Sequence, residues 1–253
     1  MKIIAVIPAR YGSSRLHGKP LLDINGKPML WWVYQEAKKV AEYFDVIVAT
    51  ESEKVAEVCD KYGMNVILTS GNHETGTDRV AEVAQKIHAD LYISVFGDEP
   101  LLRAEDQKAL IKAHYSKNDA EAIMLARKIT NPVEVANPAT VKLAINDEGY
   151  LIFMSREAIP HPKATADYSY YKHVGCYAFK KSALDFFLST ELGNIEKAEG
   201  NELMRLLENH QKVLTVIIDS DSISVDTEKE LTQVRELMLN NTLQGEIFNE
   251  TKI

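Results

Sequence analysis

The chain has 253 residues, of which 45% are apolar and 26% are charged, and its formal net charge is -8. This composition is typical of a globular protein that can bury a large core, and it excludes the compositional class of disordered chains. Nucleic-acid-binding proteins usually carry a strongly basic surface, which the net negative charge of this chain does not indicate. We therefore expect no nucleic-acid partner.

Short apolar runs alternate with amphipathic stretches over the first half of the chain. Strands are predicted at residues 3–8, 45–50, 65–69 and 91–96, and helices at residues 28–42, 52–62, 77–88 and 104–116. This alternation is typical of an α/β fold with a doubly wound, mostly parallel sheet covered by helices, the Rossmann-like architecture.

The alternation ends near residue 131. The segment "ATVKLAINDEGYLIFMSR" at residues 139–156 predicts two strands joined by a hairpin turn at residues 146–149. A strand in "HVGCYAF", helices at 182–189 and 201–209, a strand at 213–219 and a helix at 228–239 follow, and we expect the polar C-terminal tail to fray. We interpret residues 1–253 as a single domain that contains a lobe at residues 132–190.

Neither the N-terminus nor the cysteines point to export. The first apolar run is only about as long as a strand, too short for a signal peptide or a membrane span, so we expect a cytoplasmic protein with no membrane contact. Cys59 and Cys176 lie far apart without zinc-site spacing, and we expect buried thiols in a reducing compartment.

The loop after the first predicted strand carries three cations. In "IPARYGSSRLHGKP", residues 7–20, Arg10, Arg15 and Lys19 stand among small residues. The carboxyl edge of an open α/β sheet is where ligands bind, and small residues let phosphate oxygens approach the backbone. The loop lacks Walker A spacing. It is therefore either a phosphate-binding loop or an ordinary basic surface turn, and the spacing alone does not separate the two.

Two acidic positions also follow predicted strands. In "SVFGDEP", residues 94–100, Asp98 should open onto the same edge as the basic loop, where a carboxylate suits a divalent ion that bridges to phosphates. The alternative is an N-cap for the next helix. Asp226 in "SVDTEKE" precedes a helix, and taken alone it reads more simply as a cap.

Several motifs, taken together and in order, resemble one family. They are "IPARYGSSRL", "GKPL", "NGKPM", "ILTSGNHETGTDR", "GDEP", "TVKLAIN-EG", "FMSREAIP", "KHVGCYAF" and "VDT", and they span residues 3 to about 227. In this respect the chain resembles the 3-deoxy-manno-octulosonate (Kdo) cytidylyltransferases of the sugar nucleotidyltransferase group. The resemblance implies a Rossmann-like domain with a β-hairpin excursion that builds a homodimer, so that residues 132–190 are its dimerisation and sugar-binding lobe. It also implies cytosolic synthesis of an activated acidic sugar for lipopolysaccharide or capsule.

The resemblance further implies a reaction between CTP and an acidic 3-deoxy-ulosonic sugar, which gives a CMP-sugar and pyrophosphate. It implies that Arg10, Ser13, Arg15 and Lys19 bind the triphosphate and that Asp98 and Asp226 hold Mg²⁺. Arg10, Lys19, Asp98 and Asp226 are then the catalytic set. A nucleotide- or sugar-binding regulator without turnover is the alternative of another class, although such a protein would not need the whole charge set.

Two further groups of residues are assigned by the same resemblance. Gly76, Thr77 and Arg79 match the cytosine-side loop, although Thr77 alone would read as a helix N-cap. Arg156, His173, Tyr177 and Glu202 match positions that contact the ulosonate, although Tyr177 lies in an apolar strand and could belong to the core.

The acceptor site departs from the family pattern at two positions. Phe96 and Leu203 replace glutamines of the family's "QGDEP" and "LEQLR". Each lost neutral hydrogen bond weakens a site for sugar hydroxyls by roughly 0.5–1.5 kcal/mol. The acceptor is therefore Kdo itself or an altered one, such as an amino-Kdo, a nonulosonate or a phosphonate.

Overall fold

The computed structural model describes residues 1–12, 15–164, 167–220 and 222–250, with residues 241–250 described by their main chain. The strands are β1 (Ile3–Pro8), β2 (Asp23–Ile24), β3 (Lys27–Pro28), β4 (Tyr43–Thr50), β5 (Val66–Leu68), β6 (Leu91–Val95), β7 (Ala122–Lys128), β8 (Lys142–Ile145), β9 (Leu151–Ser155), β10 (Tyr171–Lys180) and β11 (Val213–Ile218). The helices are α1 (Met29–Lys38), α2 (Glu53–Lys61), α3 (Gly76–Lys86), α4 (Ala104–Ser116), α5 (Pro132–Ala136), α6 (Lys181–Ser189), α7 (Asn194–Glu199), α8 (Met204–Glu208) and α9 (Glu228–Glu250).

The main sheet has the strand order β11-β7-β10-β6-β1-β4-β5. The pairs β1–β4, β1–β6, β4–β5 and β7–β11 are parallel, which confirms the predicted mostly parallel α/β sheet. β10 runs antiparallel between β6 and β7, so its beginning lies at the edge where β6 ends. The sequence prediction contained no strand at the position of β7.

β1 shows why the sheet edge is well fixed. Ile3, Ala5 and Ile7 belong to one buried cluster, and Ile4 and Val6 belong to another. Successive side chains of a strand point to opposite faces, so a strand covered on both faces needs a continuous apolar run. This double burial holds the end of β1, and hence the start of the basic loop, in place.

The predicted hairpin is present as the antiparallel pair β8–β9. Its turn is closed by the side-chain oxygen of Asn146, which accepts hydrogen bonds from the backbone N–H groups of Glu148 at 3.1 Å and Tyr150 at 2.8 Å. Gly149 has φ +91°, a conformation that favours glycine. β8 also pairs with β10, which joins the hairpin to the main sheet.

Three further expectations can be compared with the structure. Cys59 and Cys176 are free and buried, as expected. α9 continues to Glu250, beyond the predicted end at residue 239, where a frayed tail was expected. Among the described residues, none of the helices has both the length and the apolar character that crossing a bilayer requires.

Candidate functional site

A cleft of about 1330 Å³ opens at the carboxyl ends of β1 and β6. Most of the residues singled out in the sequence line it: Arg10, Arg15, Lys19, Gly76, Arg79, Phe96, Asp98, Arg156, His173, Tyr177, Glu202 and Asp226. Its volume exceeds the usual range of small-molecule pockets, so there is space for two substrates. Of the remaining candidates, Thr77 and Leu203 are buried away from the lining, and Ser13 lies outside the described residues.

Two close main-chain contacts hold together the end of β1, the loop after β6 and the segment before α9. A Cβ atom at Gly97 would lie 3.2 Å from the carbonyl oxygen of Pro8, so glycine lets the loop after β6 pack tightly against the end of β1. The N–H of Val225 donates to the carbonyl oxygen of Asp98 at 2.9 Å. Asp98 and Asp226 are therefore held near each other although they are far apart in sequence.

The charges of the cleft converge on Lys19. Its Nζ lies 2.6 Å from Asp98 Oδ2 and 3.0 Å from Asp226 Oδ1, and Arg15 Nη2 lies 2.8 Å from the same Asp226 oxygen. Burial alone would lower the pKa of Lys19, but the two carboxylates outweigh it and raise that pKa above its usual value. Asp226 is thus part of this cluster rather than a cap of α9.

The two carboxylates fit a divalent cation. Oxygens of Asp98 and Asp226 already meet around a single cationic atom, Lys19 Nζ, and the other oxygen of Asp98 is buried without a hydrogen-bond partner among the described residues. The described residues contain no cluster of three or more His, Cys, Asp or Glu side chains suited to a metal. Two carboxylates with substrate phosphates and water are a common Mg²⁺ environment.

Arg79 stabilises the start of the basic loop through its ion pair with Glu51. Its side chain is 4% exposed, and it pairs with Glu51 at 3.0 Å and donates to Thr69 Oγ1 at 2.5 Å. Glu51 in turn accepts a hydrogen bond from the backbone N–H of Tyr11 at 2.9 Å. The guanidinium predicted to contact base or ribose is therefore engaged with protein groups, and it fixes the start of the basic loop through Glu51.

The N-terminus of α3 connects the two halves of the cleft. Thr75, not Thr77, is the N-cap: its hydroxyl accepts from the N–H of Asp78 at 3.1 Å, and Asp78 accepts from the N–H of Thr75 at 3.0 Å. The alternative reading of Thr77 as a cap is therefore wrong. Its N–H instead donates to Glu202 Oε2 at 3.0 Å, which ties the predicted base side to the predicted acceptor side.

Aromatic side chains form the wall that begins with β10. The ring of Phe96 lies 5.1 Å from that of Tyr177 and 5.8 Å from that of His173. Tyr177 hydroxyl and His173 Nε2 are 2.6 Å apart. A Cβ atom at Gly175 would lie 2.8 Å from the Phe96 ring, so this glycine makes room for the phenylalanine.

His173 is uncharged at neutral pH. Burial, with a further contribution from the charge of Arg156, lowers its pKa to about 4. A neutral imidazole can take part in hydrogen bonds but cannot balance a carboxylate. Arg156, which is exposed and lines the same side of the cleft, supplies a cation there.

Leu203 lies in the core and not at the acceptor site, where it was expected. It is 1% exposed and packs in the same apolar cluster as Phe179 and Phe187. Of the two positions that depart from the family pattern, Phe96 lines the cleft and Leu203 does not. An acceptor contact through Leu203 would need the residue to leave the core.

Glu99 and Lys142 are among the buried charged residues that the sequence analysis did not single out. Glu99 accepts from the N–H of Gly175 at 3.2 Å and from the hydroxyl of Ser222, and burial raises its pKa to about 7. It holds the loop after β6 against β10. Lys142 is fully buried behind the acceptor side. The motif "GDEP" contains Glu99 and the motif "TVKLAIN" contains Lys142, but neither motif indicates that the charged side chain is buried.

Comparisons with known proteins agree on one group. The family described as Cytidylyltransferase matches residues 4–232. The chain is 39% identical to a 3-deoxy-manno-octulosonate cytidylyltransferase of Koribacter versatilis, over 94% of this chain and 90% of the relative. It is also 39% identical to the Escherichia coli protein of the same name, over 94% of this chain and 96% of the relative.

A further relative and a solved structure extend this comparison. An 8-amino-3,8-dideoxy-manno-octulosonate cytidylyltransferase of Shewanella sp. is 35% identical over 91% of this chain and 96% of its own length. The solved structure of a CMP:2-keto-3-deoxy-manno-octonic acid synthetase complexed with CTP superimposes with a TM-score of 0.91 at 38% identity, covering 95% of this chain and 100% of that one.

Proposed function

The chain belongs to the 3-deoxy-manno-octulosonate cytidylyltransferases, and from this premise we propose how the cleft divides between its two substrates. CTP occupies the half formed by the basic loop, the Asp98 loop and the start of α3. The acidic sugar occupies the half formed by β10, Arg156 and Glu202. The observation that carries this division is the convergence of Lys19, Asp98 and Asp226 on one point between the two halves.

The chain is a nucleotidyltransferase that joins CTP and an acidic 3-deoxy-ulosonic sugar. The anomeric hydroxyl oxygen of the sugar bonds to the α-phosphorus, the bond from that phosphorus to the bridging oxygen breaks, and pyrophosphate leaves. The hydroxyl proton goes to solvent or buffer. Because negative charge builds on the phosphoryl oxygens during this displacement, the chain must supply cations at that place.

The basic loop supplies those cations. Arg10 and Arg15 line the cleft and can form forked contacts with phosphate oxygens, while Lys19 offers a point charge. Asp98 and Asp226 would hold Mg²⁺, and the chemistry supplied there would be Lewis-acid polarisation of the phosphate and of the attacking hydroxyl. The close packing at Gly97 and the backbone hydrogen bond of Val225 hold Asp98 and Asp226 close together while CTP binds.

The acceptor half orients the sugar. Arg156 is the cation placed for the carboxylate, and neutral His173 with its Tyr177 partner presents hydrogen-bonding groups to hydroxyls. Such positioning aligns the anomeric oxygen with the α-phosphorus before reaction. Gly76 and the backbone at the start of α3 lie on the nucleotide side, where they contribute to cytosine selection.

An acceptor screen with CTP and Mg²⁺ tests this assignment, with pyrophosphate release as the readout. Kdo, 8-amino-Kdo, a nonulosonate and a neutral sugar of similar size are compared at equal concentration. The proposal requires turnover with at least one acidic ulosonate and none with the neutral sugar. Equal release with the neutral sugar, or release from CTP alone, would remove the acidic-acceptor assignment.

A second acceptor is favoured by Phe96. Its ring lines the cleft where a glutamine amide of the family pattern would offer hydrogen bonds, and one relative is named for an 8-amino-3,8-dideoxy sugar. We therefore include an amino-Kdo as an acceptor. A kcat/KM for 8-amino-Kdo above that for Kdo in the same screen supports this second candidate, and the reverse order supports Kdo.

The setting of the reaction is also a proposal. We place the enzyme in the cytoplasm, where CTP is available and where the free thiols of Cys59 and Cys176 would stay reduced. We propose a homodimer through the lobe at residues 132–190, where Val133 is 73% and Ile152 is 60% exposed. Analytical ultracentrifugation of the wild type and Ile152→Glu tests this: a dimer that becomes a monomer supports it, and a wild-type monomer contradicts it.

A further inference from the structure

Lys142, the first residue of β8, has a fully buried side chain. Its ammonium donates to the carbonyl oxygens of Asn137 at 3.0 Å, Thr140 at 2.8 Å and Arg156. An ammonium has three N–H donors, so these three carbonyls account for all of them. Burying a charge with only neutral acceptors is costly, and such a residue needs a reason beyond filling space.

The three carbonyls belong to two separate segments of the cleft wall. One segment is residues 137–140, of which Asn137, Ala139 and Thr140 line the cleft. The other is the exit from β9, where Arg156 follows Ser155, the residue paired with Lys142 across the strands. The ammonium therefore holds the 137–140 loop and the main chain of Arg156 at a fixed separation.

The side chain of Arg156 rests on the same loop. Its Nη1 donates to the carbonyl oxygen of Pro138 at 3.0 Å, and its Nε donates to that of Glu199 at 3.3 Å. Its backbone N–H donates to the Glu199 carboxylate at 3.1 Å. A shift of the 137–140 loop would thus move both the main chain and the guanidinium of Arg156.

The next pair in the register of the hairpin is apolar, as is usual for side chains that only fill the core. Leu143 is paired with Met154, and both are buried in the core. At Lys142 the chain instead keeps an ammonium. Burial lowers the pKa of Lys142, Glu157 and Glu199 act to raise it, and the charge of Arg156 lowers it further. This charge is compensated by specific contacts to the wall that carries Arg156.

We propose that Lys142 is a positioning residue for the acceptor site: its ammonium fixes the 137–140 loop and Arg156 so that the guanidinium meets the carboxylate of the acidic sugar. This rests on the proposed function, in which Arg156 binds that carboxylate. Forked guanidinium–carboxylate contacts depend strongly on geometry, so a small displacement weakens acceptor binding while the CTP half of the cleft is unaffected.

The test uses the whole 253-residue chain with Lys142→Met, which keeps an unbranched side chain but ends one atom short of the ammonium, and Lys142→Gln, which keeps an N–H donor. Pyrophosphate release gives KM for the acidic acceptor and for CTP separately, and thermal unfolding gives stability. The matched control is Leu143→Ala, which weakens the same strand at the neighbouring position without touching the ammonium cage. The variant Arg156→Lys and the double variant that carries both Lys142→Met and Arg156→Lys complete a double-mutant cycle.

We expect Lys142→Met to raise the acceptor KM about tenfold or more with the CTP KM within about twofold, and Lys142→Gln to lie between it and the wild type. Leu143→Ala should lower the melting temperature and leave the acceptor KM within about threefold, and the cycle should be non-additive. The proposal is overturned if Leu143→Ala raises the acceptor KM as much as Lys142→Met at equal loss of stability, or if both Lys142 variants leave it unchanged. If Arg156→Lys alone leaves the acceptor KM unchanged while Lys142→Met raises it, the role of Arg156 fails and that of Lys142 in holding the wall stands.

Discussion

The ammonium of Lys19 bridges the two proposed metal ligands, with its Nζ 2.6 Å from Asp98 and 3.0 Å from Asp226. Lys19 comes from the loop after β1, Asp98 from the loop after β6, and Asp226 from the segment before α9. One side chain thus holds in place the carboxylates that a divalent ion would bind. The Lys19 ammonium and the divalent cation of the reaction would therefore compete for the same carboxylate oxygens of Asp98 and Asp226.

The first prediction follows from this competition. Without nucleotide, Lys19→Met should bind Mn²⁺ about tenfold more tightly than the wild type, because the ammonium no longer occupies the position between the two carboxylates. Electron paramagnetic resonance of free Mn²⁺ measures this without any turnover. Arg15→Met is the matched control, since it removes the same charge beside Asp226 but has no bond to Asp98.

Comparison of Lys19→Met with Arg15→Met distinguishes an effect of the position of the Lys19 ammonium from an effect of the net charge of the cleft. A much smaller gain in Arg15→Met supports a shared position for Lys19 and the metal. Equal gains in both would mean that Mn²⁺ responds only to the net charge of the cleft, and that Lys19 does not stand where the metal binds.

Phe96 gives the second prediction. Phe96→Gln should raise kcat/KM for Kdo by about threefold to tenfold relative to kcat/KM for 8-amino-Kdo, because an amide in the cleft restores a neutral hydrogen bond. Parallel kinetics with both acceptors measure the ratio. Phe44→Gln is the control, as Phe44 is 71% exposed on β4 and absent from the cleft lining. An unchanged ratio in Phe96→Gln would show that this ring does not select the acceptor.

The third prediction concerns stability and pH. The pKa of His173 is lowered to about 4 in the folded protein, so between that value and the ordinary histidine value the unfolded chain binds a proton that the folded chain does not. Stability should therefore fall as pH drops from 7 to 5, with a contribution from this residue on the order of 1–2 kcal/mol.

Urea unfolding at pH 7 and pH 5 measures that contribution. His173→Gln should reduce the loss of unfolding free energy between the two pH values, while His88→Gln, at an exposed position after the end of α3, should not. The same loss in the wild type and His173→Gln would contradict the assignment of a neutral, partly buried imidazole.

Some of the site could be predicted from the sequence because it depends on local order. Arg10, Lys19 and Asp98 follow strands, and the ends of neighbouring parallel strands meet at one edge. Leu203 and Arg79 were harder to place, because burial in the core and pairing with Glu51 depend on segments distant in sequence.

The antiparallel insertion of β10 and the buried charge of Lys142 were not predictable for a related reason. A strand's apolar pattern gives its burial but not its direction in a mixed sheet. A lysine within an alternating strand reads as a solvated side chain, and only the approach of residues 137–140 and Arg156 in three dimensions shows its partners.

The central claim, that the Asp98 and Asp226 edge of the cleft carries the transfer, is tested most directly by pyrophosphate release from Asp98→Asn with CTP, Mg²⁺ and the acidic acceptor that the wild type uses. The substitution keeps the size of the side chain and removes the charge. We expect kcat to fall by about 10³-fold or more, with folding judged by thermal unfolding. Near-normal turnover of Asp98→Asn would contradict the assignment of this carboxylate to the metal and to the reaction.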